Sequence, residues 1–128
     1  MAIGDGHSGE GKTLYTWDRD VERIVQRVLS RFSAVTVNTY ECHPFCGWER
    51  RSLDVWGPAG RGDPIGRDLS LSVLQFLWDL PGEPLIRHYI LGHKIWVRGV
   101  GAYRWPADDH IGSLRHLHVT YMPVPSST

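Results

Sequence analysis

Long apolar runs are missing from this chain of 128 residues. No stretch approaches the length that a membrane-spanning helix needs, so a membrane partner is not expected. Blocks of one charge are missing as well. Lys plus Arg and Asp plus Glu stand at 14 each, the formal net charge is zero, and no basic run suits a polyelectrolyte partner such as nucleic acid. Cysteine is scarce, at two residues, which by itself leaves the redox compartment open. No internal repeat is present. The opening MAIGDGHSGEGK lacks the apolar segment of a secretory signal peptide, so localisation stays open between the cytoplasm and export by another route.

What is present suffices for one domain with a core that needs no disulfide, since 41% of the residues are hydrophobic. The 14 Gly and 8 Pro fall mostly between the apolar segments, so loops are plentiful. Six Trp is a high count; Trp offers flat faces for stacking sugars or peptides and is also ordinary core filler. Residues 1–13 are Gly-rich and polar and are expected to be a loose tail, with a second tail at 123–128 and a single domain over 14–122. Within it, Val21, Ile24, Val25, Val28, Leu29 and Phe32 recur at helical spacing over 18–32. Leu69, Val73, Phe76, Leu77 and Leu80 do the same over 69–80. Strands are expected at 34–40, 52–56, 85–91, 94–98 and 114–121, with loops at 41–51, 57–67 and 99–113. This order predicts an α+β fold, an antiparallel sheet of about four to five strands with two helices packed on it. A monomer is expected.

Three groups of residues carry chemistry. The segment GHSGEGKT at 6–13 matches the phosphate-loop pattern, which requires a buried strand before it and a helix directly after it. Only MAIGD precedes, and four residues separate the motif from the first helix, so a flexible Gly-rich segment is the expectation and a nucleotide-binding protein the alternative. Cys42 and Cys46 flank His43 and are readable as inert thiols, a loop disulfide or soft metal ligands. A structural zinc site takes four ligands, usually in two pairs, which makes that last reading the weakest. The third group lies on two strands. Alternate side chains of a strand share a face, so in LRHLHVTY His116 and His118 point one way and Leu117 and Val119 into a core. In SLDVW, Asp54 lies on the polar face with Ser52 and Trp56, while Leu53 and Val55 turn inward. Two imidazoles and a carboxylate with one open position form a ligand set that suits a catalytic zinc ion.

The pieces NTYE at 38–41, RSLD at 51–54, GDPI at 62–65, YILGHKIW at 89–96 and RHLHV at 115–119 occur in an order that resembles the D-alanyl-D-alanine carboxypeptidase-like metallopeptidases. These are the peptidoglycan-cutting group that shares a fold with the hedgehog signalling domain, and the resemblance is closest to small actinobacterial and phage members. It implies a hedgehog/DD-peptidase-like fold, a zinc ion, and a peptidoglycan stem peptide or other small peptide as substrate. It implies Asp54 and His118 as metal ligands. The family's first ligand stands seven residues before the Asp, where this chain has Gly47; His43, eleven before, is the expected third ligand. The family's general base, an acid three residues before the last ligand, is replaced by Arg115, and an Arg does not accept a proton at ordinary pH. Asp108, Asp109 and Glu49 are the carboxylates expected to stand in, with His116 flanking the metal as a donor. Tyr40, Arg51, Trp48, Trp56 and Trp105 are expected to line the substrate cleft. Glu41 stands where the family often has a substrate-gripping Arg. The expectation is therefore a zinc-dependent peptidase-like domain, with a catalytically impaired binding module of the same fold as its alternative.

Overall fold

The structure, a computed structural model, describes residues 3–5, 19–39, 52–81 and 84–122. Its elements run β1 (Ile3–Asp5), α1 (Arg19–Arg31), β2 (Thr36–Thr39), β3 (Ser52–Trp56), α2 (Arg67–Trp78), β4 (Ile86–Leu91), β5 (Lys94–Val97), β6 (Gly101–Arg104) and β7 (Leu117–Tyr121). The seven strands form one sheet in the order β1-β2-β3-β7-β4-β5-β6. Six of them are antiparallel, and β1 joins the edge parallel to β2. The α+β class and the two helices agree with the sequence, but the sheet is larger than the four to five strands expected.

Two strands account for the excess. β6 falls in the stretch read as a loop, because GAYR shows no apolar alternation; as an edge strand it is largely exposed and needs none. Its approach is a Gly turn, with Gly99 at φ 83° and Gly101 at φ 110°. β1 falls in the stretch read as a loose tail, where three residues pair with Val37, Asn38 and Thr39. Element ends also shift by a few residues. α2 starts at Arg67 because extended Gly66 supplies the carbonyl that accepts from Ser70 N–H and Oγ–H, each at 2.9 Å. The last strand begins at Leu117 rather than 114, since Gly112–Leu114 make a single 3₁₀ turn.

The two helices pack on one face of the sheet. Val21, Ile24, Val25 and Val28 of α1 and Val73 and Leu77 of α2 bury against Val37, Leu53, Val55, Leu117 and Val119. In α1, Asp20 and Glu22 in the first turn and Arg31 in the last complement the helix dipole. The opposite face of β3 was expected to be polar, and it is, but it is buried too: all five residues of β3 are inaccessible. Strands sandwiched on both sides need partners for every polar group they carry, and that need organises the site described next.

Leu53 is fully buried among the core strands, whereas Leu71 on α2 is 43% exposed. Leu53→Ala is expected to lower the unfolding free energy by about 2–5 kcal/mol and Leu71→Ala by less than about 0.5 kcal/mol, read by urea denaturation.

Candidate functional site

Antiparallel register sets Asp54 directly opposite His118 and Ser52 opposite Thr120. On the other flank of β7, His88 of β4 faces Thr120, and on the far flank of β3, Asn38 of β2 faces Asp54. Cross-strand partners share a face, so these side chains form one polar surface on the side away from the helices. His118 Nδ1 lies 2.9 Å from Asp54 Oδ1, and its Nε2 lies 2.8 Å from Thr120 Oγ1. The Thr120 hydroxyl in turn lies 2.6 Å from Ser52 Oγ. His116, one residue before the strand, keeps the alternation and brings Nε2 to 3.8 Å from the same Asp54 oxygen. Its Nδ1 donates to the Leu114 carbonyl at 2.8 Å, which leaves the Nε2 lone pair directed at the site.

The loop from Trp105 to Arg115 closes over this face. Trp105 N–H donates to the His93 carbonyl at 2.8 Å, and His93 Nδ1 bonds the Trp105 carbonyl at 3.0 Å, which ties the loop to the β4–β5 turn. Asp109 Oδ1 accepts from Trp105 Nε1 at 2.8 Å and from His110 Nδ1 at 2.7 Å. Burial pushes the Asp109 carboxyl up, but these two bonds outweigh it and hold the group below its usual value. His110 thereby swings inward, stacks on His116 at 4.1 Å between ring centres, and meets His118 edge-on at 6.3 Å. Trp56 stacks on the other side of His116 at 4.2 Å. His88 stacks on His118 at 5.3 Å.

Four imidazoles thus cluster together, two of which, His118 and His116, lie 2.9 and 3.8 Å from the Asp54 carboxylate. Burial, the His116 ring and the His118 ring lower His110 to about 4 against the pull of Asp109. Burial, with His118 and Arg87 nearby, lowers His88 to about 4. Both are neutral at pH 7, as a metal-ligating imidazole must be. Asn38 Oδ1 and Trp56 Nε1 are buried here with no hydrogen-bond partner among the described residues. Among the described residues, no group of three His, Cys, Asp or Glu side chains already stands at metal-cage geometry.

The expected site residues divide as follows. Asp54, His118 and His116 are brought together, and Asp109 and Trp105 reach the cluster through His110. Asp108 lies further out, 3.4 Å from His93 Nε2 and exposed. Trp56 is buried as the support of His116 rather than an open stacking platform. Tyr40, Glu41, Cys42, His43, Cys46, Gly47, Trp48, Glu49, Arg51 and the 6–13 motif lie outside the described residues. Two histidines outside the expected set, His88 and His110, both stand in the cluster. His88 shares the alternation of β4 with Ile90, but only the strand order shows that β4 abuts β7. His110 sits in a loop with no periodicity to read.

Comparison with protein-family models, with curated proteins and with solved structures finds no match. The functional reading therefore rests on the site itself. No helix among the described residues is long and apolar enough to cross a membrane.

His88 and His110 bear on stability directly. Unfolded imidazoles take up protons below about 6.5, while these two stay neutral in the fold down to about 4, so the unfolded state binds more protons between those values. Thermal stability is expected to fall as pH drops through that window. His110→Phe and His88→Phe should each flatten the fall, measured by melting temperature against pH.

Proposed function

We propose that this chain is a zinc-dependent, peptidase-like domain acting on peptidoglycan stem peptides, with a hedgehog/DD-peptidase-like fold. One observation carries the reading. Asp54 and His118, the two positions that the sequence resemblance marks as ligands, stand opposite one another on adjacent strands with Oδ1 and Nδ1 2.9 Å apart. The donor chemistry fits zinc, a buried carboxylate and imidazole nitrogens on one face. The outer contacts fit as well: His118 Nε2 is held by Thr120, and His116 by a backbone carbonyl. His43 is the third ligand in this reading.

A zinc ion held there would supply Lewis-acid polarisation of a scissile carbonyl and a water whose pKa lies near about 7. The chain's own residues do the rest. Asp54 and His118 hold and orient, and His116 presents Nε2 toward the same carboxylate. Trp105 and the Asp109–His110 pair close the face against bulk water. Arg115 is fixed beside the site, its N–H bonded to the Gly112 carbonyl and its own carbonyl to Ile65 N–H. It brings a positive charge where a proton acceptor would serve, so Asp109 or Glu49 takes that role.

Purified protein is expected to carry about one zinc per chain, and Asp54→Ala and His118→Ala to lose it. His43→Ala should weaken zinc binding more than Cys46→Ser does. Absence of metal, with no rise in melting temperature on adding zinc, would reject the reading. Arg115→Asp is expected to raise hydrolysis of purified peptidoglycan by up to about 10²–10⁴-fold, the usual worth of a positioned base. Zinc binding with no cleavage by either protein would assign a binding module of the same fold.

A second reading is favoured by one observation. β1 ends at Asp5, directly before the 6–13 phosphate-loop pattern, and runs parallel to β2 with α1 between them in sequence. That is the strand, loop and helix order such a motif uses. It predicts ATP binding that Lys12→Ala abolishes, read by isothermal titration; no binding by the wild type removes it.

A further inference from the structure

The four atoms Ser52 Oγ, Thr120 Oγ1, His118 Nε2 and Asp54 Oδ1 form a chain of contacts with the imidazole in the middle, at 2.6, 2.8 and, through Nδ1, 2.9 Å. Ser52 and Thr120 are each 1% exposed and Asp54 2%, so bulk water is largely kept from these contacts. The ring itself is clamped. His88 stacks on it at 5.3 Å with planes 19° apart, and His110 meets it edge-on. A flip of the ring would aim C–H groups at both Asp54 and Thr120 and forfeit both bonds. What remains variable is where the ring carries its proton.

We propose that Thr120, backed by Ser52, is a positioning residue that allows His118 to present either a proton or a lone pair to Asp54. This rests on the zinc reading for the loaded state alone. A hydroxyl both donates and accepts, so the chain has two polarities. In the first, Ser52 donates to Thr120, Thr120 donates to Nε2, and Nδ1–H donates to Asp54. Every group is then satisfied with no cation. In the second, Nε2–H donates to Thr120 and Thr120 donates to Ser52. The Nδ1 lone pair then faces the carboxylate, an arrangement of two acceptors at 2.9 Å that only a cation between them makes favourable. One proton leaves Nδ1 and one arrives at Nε2, so the imidazole stays neutral and the proton count is unchanged. Valine at 120 keeps the shape and serves neither polarity, whereas serine serves both.

Long-range proton–nitrogen NMR of the His118 ring tests this in the full chain. Metal-free wild type is expected to show the Nδ1–H form, and added zinc to convert it to the Nε2–H form. Thr120→Val should move the Nε2 resonance downfield in the metal-free protein, because that lone pair loses its donor. It should also weaken zinc affinity by about 10–100-fold, the usual effect of losing an outer partner of a metal ligand, with Thr120→Ser restoring both. Ser52→Ala, which leaves Thr120 in place, should give a smaller loss of the same kind and serves if Thr120→Val does not fold. A hydroxyl that merely fills space would leave the nitrogen resonances in place. An Nε2–H form in metal-free wild type, or unchanged resonances and zinc affinity in Thr120→Val and Ser52→Ala, overturns the proposal. If wild type binds no zinc while Thr120→Val still shifts Nε2, the positioning role stands and the zinc reading falls.

Discussion

The pairing of β3 with β7 is the constraint on which the rest of the structure depends. Those strands lie at the middle of the sheet and join residues 64 positions apart in the chain. Their register does two things at once. It stacks Leu53 against Val119 and Val55 against Leu117 on the helix side, and it sets Asp54 against His118 and Ser52 against Thr120 on the other. A slip by one residue would exchange the faces, exposing the apolar set and thrusting a carboxylate into the core. The apolar packing thus enforces the geometry of the polar cluster.

The polar face is buried without being apolar, and its members meet that condition in different ways. Asp54, His118, Thr120 and Ser52 satisfy one another. His116 is held between Trp56 and His110 by ring stacking and from below by a carbonyl. His88 and His110 adapt by staying neutral, because burial disfavours the imidazolium and at His110 outweighs the Asp109 carboxylate beside it. Asn38 and Trp56 each keep one buried polar atom without a partner among the described residues.

The covering loop supplies what the strands do not. Trp105 and Asp109 are fixed by local bonds four residues apart, and their function in the fold is to aim His110. Asp109, read from the sequence as a stand-in base, also orients an imidazole that reaches the cluster. Arg115 closes the loop through its backbone and leaves the position before His116 without an acid. Among the described residues the site is accordingly one of imidazoles organised around the buried Asp54 carboxylate.

Much of this was legible in the residues. The 3.6-residue spacing of Val21, Ile24, Val25 and Val28 specifies a helix and its buried face. The two-residue alternation of SLDVW and HLHVT places Asp54 with Ser52 and His116 with His118, because side-chain direction along a helix or strand is a local property of the backbone. Strand order is not local. That β7 inserts between β3 and β4, that His88 faces Thr120, and that His110 lands on His116 follow from burying all the apolar faces together. Edge strand β6 escaped notice for the related reason that an exposed edge needs no apolar pattern. The sequence by itself determined which residues each element presents on one face. Only the tertiary structure decided which faces meet, since pairing is settled by the summed burial of segments far apart in the chain.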